Sequence, residues 1–181
     1  LRPLSERCIY YGYNGPPLQP PSYNDIHQIF QTPDHVVIFT EQNNNAPRII
    51  PLDGRPPISE KIRQYPGDSR GHWEGDTLVV ETINFVDKPD AYWSSPWRKS
   101  RSSLRLVERF TRVGPESIDY TFTMEDPEVF SQPWTVSAPM TTDHASRGVT
   151  AGQLWEYACH EGNYGLTNML AGSRAQEAEE Q

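Results

Sequence analysis

The sequence predicts a mainly β protein of one domain, an antiparallel meander that closes as a lipocalin-like or nitrobindin-like barrel or packs as a sandwich. Two observations predict the strands. Short runs of alternating apolar and polar residues follow one another, separated by turn residues. The 17 prolines and 12 glycines disfavour long helices. A third observation adds one C-terminal helix: residues 163–179 carry a thin apolar stripe at helical spacing.

The elements follow in chain order. Residues 1–22 are predicted to be an extended arm, because their proline pairs favour polyproline II and forbid helix. Strands are predicted at 25–31, 35–42, 47–52, 77–85, 104–113, 117–125, 134–141 and 154–160. Residues 68–76 are predicted to be a polar turn cluster, and 86–103 a long loop. The chain ends in a helix and acidic tail at 163–181.

Charge and hydropathy exclude two classes of protein. A net charge of -8 argues against a general nucleic-acid binder, which needs a basic surface to displace counterions. No apolar run approaches the ~20 residues of a membrane-spanning helix, so no transmembrane segment is predicted.

Two glutamates interrupt apolar strand faces. Glu81 alternates with Val79 and Ile83, and Glu108 alternates with Leu106 and Phe110. Two carboxylates facing one interior could form an acid/base pair or bind a cation. The alternative is a structural salt bridge with a nearby arginine, or a twisted strand that keeps the carboxylates wet.

A second candidate site lies where the predicted last strand meets the helix. His160 and Glu161 could act there as a general base and its partner, with Tyr157 and Tyr164 as binding residues. A metal site needs three or four ligands and the other histidines are scattered, so no metal is predicted. No catalytic motif matches, no cofactor is predicted, and the absence of CxxCH excludes covalent haem of the usual c type.

Aromatic residues mark two candidate recognition surfaces. Tyr10, Tyr11 and Tyr13 would anchor the arm, either on its own domain or on another chain. Trp93, Trp97 and Arg98 sit in the long loop, which either exposes a recognition surface or folds over the open end of the core.

The two cysteines leave two alternatives open. In an oxidising compartment Cys8 and Cys159 could form a disulfide that ties the arm to the last predicted strand. Otherwise they are buried free thiols.

Several stretches resemble a widespread bacterial family of predicted exported proteins, common in acidobacteria and their environmental relatives. The stretches are PRIIPLDGRP, GDSRGHWEGDTLVVETINF, LVERFTR, PWTV and YACHEGNYG, and the resemblance runs from about Cys8 to Arg174. It brings no catalytic residues with it. It implies an extracytoplasmic protein, periplasmic or secreted, and therefore favours the Cys8–Cys159 disulfide.

Together these observations predict an extracytoplasmic accessory or binding protein without catalysis. It would dock on another protein or a larger assembly through its arm, its Trp-rich loop and its tail. Two alternatives are a small barrel hydrolase, lyase or isomerase using Glu81, Glu108, His160 and Glu161, and a carrier of an apolar small molecule or haem inside the barrel.

Overall fold

Nine strands and one helix make up the regular structure of the described residues. The computed structural model describes residues 8, 15–18, 26–41, 47–87, 102–142, 154, 157–159, 161–162 and 164–179. The strands are β1 (His27–Gln31), β2 (His35–Thr40), β3 (Arg48–Pro51), β4 (Asp68–Glu74), β5 (Thr77–Ile83), β6 (Arg105–Arg112), β7 (Ser117–Glu125), β8 (Trp134–Ser137) and β9 (Met140–Thr141); the helix is α1 (Gly165–Glu179).

The first three strands form a small antiparallel sheet in the order β1-β2-β3. β2 directs Val36, Ile38 and Thr40 into the core, while the alternate residues on its other face are half-buried. β3 lies at an edge of the sheet, as its Pro51 predicts, because proline has no N–H to donate to a neighbouring strand.

The remaining strands form a six-stranded sheet in the order β4-β5-β6-β7-β8, with β9 also paired to β7. The predicted turn at Gly75, where φ is +59°, joins β4 to β5. Residues 113–116 connect β6 to β7 as a hairpin, and the bounds of β7 match those of the predicted strand at 117–125. The predicted strand at 134–141 is divided into β8 and β9. The mainly β, antiparallel fold with a C-terminal helix is therefore confirmed, but the described strands form no closed barrel.

The prediction that residues 68–76 form a turn cluster is wrong for most of that stretch. β4 pairs with β5 from Asp68 to Glu74. Its buried polar side chains are tolerated because they have partners. One Asp68 oxygen accepts the Ile58 N–H at 2.9 Å, and the other accepts Arg70 Nη1 at 2.5 Å.

The predicted strand at 154–160 is also wrong where the chain is described. Leu154 and residues 157–159 belong to no strand. The Cys159 N–H instead donates to the Tyr157 carbonyl at 2.9 Å, which closes a tight turn. Cys159 is bonded to Cys8, so the disulfide is formed and joins segments 151 residues apart.

Both sheets contribute to one hydrophobic core. The small sheet supplies Val36, Ile38 and Ile50, and the large sheet supplies seven buried residues between Leu78 and Met124, joined by Phe85 and Leu104 from the connection between β5 and β6. Leu18, from the predicted arm, is buried in the same cluster, so this part of the arm packs on its own domain. The sheets approach closely at Gly71, where a Cβ atom would lie 2.8 Å from Leu52 and 2.9 Å from Ile50.

The helix stands apart from this core. Every side chain of α1 that the structure describes is exposed, including the apolar Met169 and Leu170. Two glutamates, Glu177 and Glu179, lie in its last turn, where negative charge opposes the helix dipole. No helix among the described residues is long and apolar enough to cross a membrane.

Candidate functional site

A buried ion-pair cluster links the two sheets. We use this name for Arg48, Ser69, Thr82, Glu108 and Tyr120, which come from β3 to β7, one from each strand. Arg48 Nη2 lies 2.5 Å from Glu108 Oε2 and 2.8 Å from Thr82 Oγ1, and its Nε lies 3.0 Å from Ser69 Oγ. The Tyr120 hydroxyl donates to Glu108 Oε1 at 2.7 Å.

Strand pairing explains why these side chains meet. Ser69 and Thr82 are directly opposite each other in the β4–β5 ladder, and their hydroxyls lie 3.0 Å apart. Glu108 is opposite Val80 and therefore faces the core. Arg48 reaches across from the small sheet to this polar position. Its three hydrogen bonds to Ser69, Thr82 and Glu108 add a polar connection to the apolar contacts that the two sheets share.

The surroundings of the Tyr120 hydroxyl determine its hydrogen bonds and keep it protonated. This oxygen also accepts the Leu18 N–H at 2.9 Å, which fixes the N-terminal segment to the core. Burial, together with the negative charge of Glu108, raises the pKa of Tyr120 well above its ordinary value. Tyr120 therefore stays protonated and serves as a hydrogen-bond donor to the carboxylate.

The geometry suits structural clamping better than catalysis. Both oxygens of Glu108 accept hydrogen bonds, one from Arg48 and one from Tyr120. The side chain of Glu108 is fully buried, and so is that of Tyr120. A general acid or base must come within hydrogen-bond reach of the group it protonates or deprotonates. A carboxylate enclosed in this way instead holds the sheets in register.

Glu81 does not lie beside Glu108, so the prediction that the two carboxylates face one interior is wrong. Glu81 is opposite Val107, so it lies on the face of the large sheet away from the core. There it accepts Arg105 Nη2 at 2.6 Å, and Glu125 accepts Arg105 Nη1 at 2.7 Å. The salt-bridge alternative with a nearby arginine therefore holds for Glu81, whose bond to Arg105 raises the pKa of that guanidinium.

A local change in the backbone explains the wrong assignment. Phe85 is buried, and simple alternation from Phe85 would place Glu81 in the core. Asn84 has φ of +59°, in the left-handed region, and this interrupts the alternation just beyond β5. Within β5 itself, the residues that face the core are Leu78, Val80 and Thr82.

The same outer face carries a second ion pair, Arg109 with Glu74, and a histidine beside it. Arg109 Nη2 donates to Glu74 Oε2 at 2.7 Å, and His72 Nε2 lies 3.2 Å from Glu74 Oε1. The hydrogen bond from Arg109, with a smaller effect of His72, lowers the pKa of Glu74. These exposed pairs make the outer face a charged surface in contact with water.

The structure shows only part of the predicted site near the helix. Tyr157 is half-buried and lies beside the disulfide, whereas Glu161 and Tyr164 are exposed. His160, the proposed base, lies outside the described residues. The same is true of the candidate binding residues Tyr10, Tyr11, Tyr13, Trp93, Trp97 and Arg98. Among the residues that are described, no group of three His, Cys, Asp or Glu side chains could hold a metal ion.

An exposed apolar row on the small sheet was missed by the sequence analysis. Phe30 is opposite Val37, and Val37 is opposite Ile49, so the three side chains cross the sheet on its outer face. Phe30 is 49% exposed and Ile49 is 56% exposed. The sequence of β2, HVVIFT, could have indicated this row. Its apolar residues occupy both odd and even positions, so apolar side chains lie on both faces of the strand.

Comparison with known proteins adds no assignment. No protein-family model matches the chain, and neither the curated proteins nor the solved structures include a significant match to it.

Proposed function

We propose that the chain is an extracytoplasmic binding protein that docks on a partner protein and has no catalytic activity of its own. The observation that supports this most strongly is the outer apolar row of Phe30, Val37 and Ile49. Large apolar side chains that share one exposed sheet face are typical of surfaces that another protein covers. The partner surface would be apolar at its centre, since the row contains no charge.

The arrangement of the carboxylates also favours binding over catalysis. The hydrolase, lyase or isomerase alternative requires Glu81 and Glu108 to act together, but these side chains lie on opposite faces of the sheet. Each is already engaged by an arginine, Glu81 by Arg105 and Glu108 by Arg48.

The proposed compartment follows from the disulfide. Such bonds form and persist in oxidising environments, including the bacterial periplasm and the exterior of the cell. The Cys8–Cys159 bond therefore supports a periplasmic or secreted location, in agreement with the family resemblance. The arm at 1–22, the Trp-rich loop at 86–103 and the acidic tail remain proposed contact segments. A closed barrel, with an apolar molecule or haem inside it, stays a prediction of the sequence alone, and docking does not require it.

The docking role is tested with a charge placed in the outer apolar row. Ile49→Glu is compared with Val113→Glu, which puts the same charge at a similarly exposed apolar residue just beyond β6. Tagged wild-type chain is purified from its native source, and each co-eluting protein is then produced separately for calorimetric titration. We expect wild type and Val113→Glu to bind equally, and Ile49→Glu to bind about tenfold more weakly or worse. Elution of the wild type alone, or equal binding by Ile49→Glu, would contradict the proposal.

A further inference from the structure

The outer edge of β1 ends the small sheet among the described residues. Ile26 and Thr32 directly precede and follow β1, and both form backbone hydrogen bonds on the side of β2. The Ile26 carbonyl accepts the Glu41 N–H, and the Thr32 N–H donates to the His35 carbonyl. Backbone groups alternate between the two sides of an antiparallel strand. Ile29 and Gln31 therefore direct their N–H and C=O groups away from β2, on the side of the sheet where the described residues provide no further strand.

This edge lacks the features that usually prevent strands from associating. Natural edge strands are commonly protected by charged side chains, proline or bulges. The sequence of β1, HQIFQ, contains no charged residue and no proline, although the whole chain carries a net charge of -8. Four of its five residues are exposed. The edge is therefore free of the like-charge repulsion expected between two copies of an acidic protein.

Ile29 is the central residue of this edge. It is opposite the buried Ile38 in the β1–β2 ladder, so it lies on the sheet face that carries the core. Even so, its side chain is 41% exposed. A further strand beside β1 would cover Ile29 and extend the core row by one position.

We propose that β1 pairs with β1 of a second copy of the chain, antiparallel and with Ile29 opposite Ile29. The two Ile29 residues then exchange two hydrogen bonds, each N–H donating to the other carbonyl. The buried row continues across the twofold axis as Ile38, Ile29, Ile29 and Ile38. Gln28 lies opposite Phe30, so no like charges meet between the paired strands.

Side-chain packing favours this register over its neighbours. Pairing centred on Gln28 or Phe30 would place Ile29 opposite His27 or Gln31 and would interrupt the apolar row. Pairing centred on Gln31 would place Ile29 opposite Pro33, which has no N–H to donate. The result is a continuous six-stranded sheet formed by two small sheets. This pairing goes beyond the docking role and is independent of it, since the outer row of Phe30, Val37 and Ile49 stays accessible in the pair.

Charge-swap variants of Ile29 test the proposal by sedimentation velocity over a concentration series of the full chain. We expect the wild type to shift from monomer to dimer as concentration rises. Ile29→Lys and Ile29→Glu should each dimerise about tenfold more weakly or worse, because like charges then meet at the twofold axis. An equimolar mixture of the two variants should regain a dimer, because opposite charges now face each other.

The control is Ile62→Lys, which places the same charge at an exposed isoleucine outside the strands and should dimerise like the wild type. Thermal unfolding shows whether each variant is folded. A wild type that stays monomeric at every concentration would overturn the proposal. So would an Ile29→Lys variant that dimerises normally, or a folded mixture that remains monomeric. Ile49→Glu, which tests docking, should dimerise like the wild type, so failure of one proposal is distinguishable from failure of the other.

Discussion

Removing Arg48 from the buried ion-pair cluster is expected to lower the free energy of unfolding by about 4 kcal/mol. Arg48→Met keeps most of the apolar volume but removes three hydrogen bonds. The bond to the Glu108 carboxylate contributes about 1.5–3 kcal/mol, and each bond to the Ser69 and Thr82 hydroxyls about 0.5–1.5 kcal/mol. The sum agrees with the roughly 3–5 kcal/mol lost when one partner of a buried ion pair is removed.

The matched control is Arg105→Met on the outer face of the same sheet. Arg105 also bridges two acidic partners, Glu81 and Glu125, but its side chain is 42% exposed. Water screens such pairs, and we expect a loss of about 1 kcal/mol or less. Both variants are measured by equilibrium unfolding in urea, with tryptophan fluorescence as the signal. The slope of the unfolding free energy against urea concentration should be the same for the wild type and both variants.

A double variant separates the charge effect from a packing effect. In Arg48→Met with Glu108→Leu, both charges are replaced by apolar side chains, and most of the lost stability should return. The reasoning would be refuted if Arg48→Met and Arg105→Met lost equal stability. It would also be refuted if the double variant were less stable than Arg48→Met alone.

Three other perturbations have defined outcomes. Because the pKa of Tyr120 is raised in the folded state, its contribution to stability is present below pH 10 and is lost as pH rises above 10, by up to about 1.4 kcal/mol per pH unit. Urea unfolding across this range should show that this loss is absent in Tyr120→Phe. Reduction of the Cys8–Cys159 bond should lower the free energy of unfolding by about 3–5 kcal/mol and leave a Cys8→Ser/Cys159→Ser variant unaffected; no change in the wild type would exclude a stabilising bond. Gly71→Ala should destabilise the fold by about 1–3 kcal/mol because its Cβ would meet the small sheet, whereas Gly114→Ala, with nothing nearer than 3.9 Å, should stay within about 0.5 kcal/mol in thermal unfolding.

The strands that could be predicted are those whose alternation is purely local. β7 has apolar and polar residues in strict alternation, and its bounds match the prediction from Ser117 to Glu125. β4 could not be predicted, because Asp68 and Ser69 are residue types typical of turns. They occupy a strand because distant groups bond to them, among them Ile58 and Arg48.

The candidate site shows the same limit. The core-facing position of Glu108 follows from local alternation with Leu106 and Phe110, and it is confirmed. Its partner could not be found in this way, because Arg48 is 60 residues earlier in the chain and belongs to the other sheet. The Tyr120 hydroxyl depends in turn on the Leu18 N–H, 102 residues away. Such pairings are decided by tertiary packing and leave no periodic signal in the sequence.

The long separations within the buried cluster also set the order in which the chain can fold during synthesis. Arg48 and the core face of the small sheet emerge from the ribosome before Glu108 and Tyr120 have been made. Until β6 and β7 have been synthesised, the Arg48 guanidinium and the core face of the small sheet remain in contact with water. We therefore expect the first half of the chain to have no stable native structure by itself. Such a chain would reach its final form only after its second half is complete, which is compatible with the extracytoplasmic location that we propose.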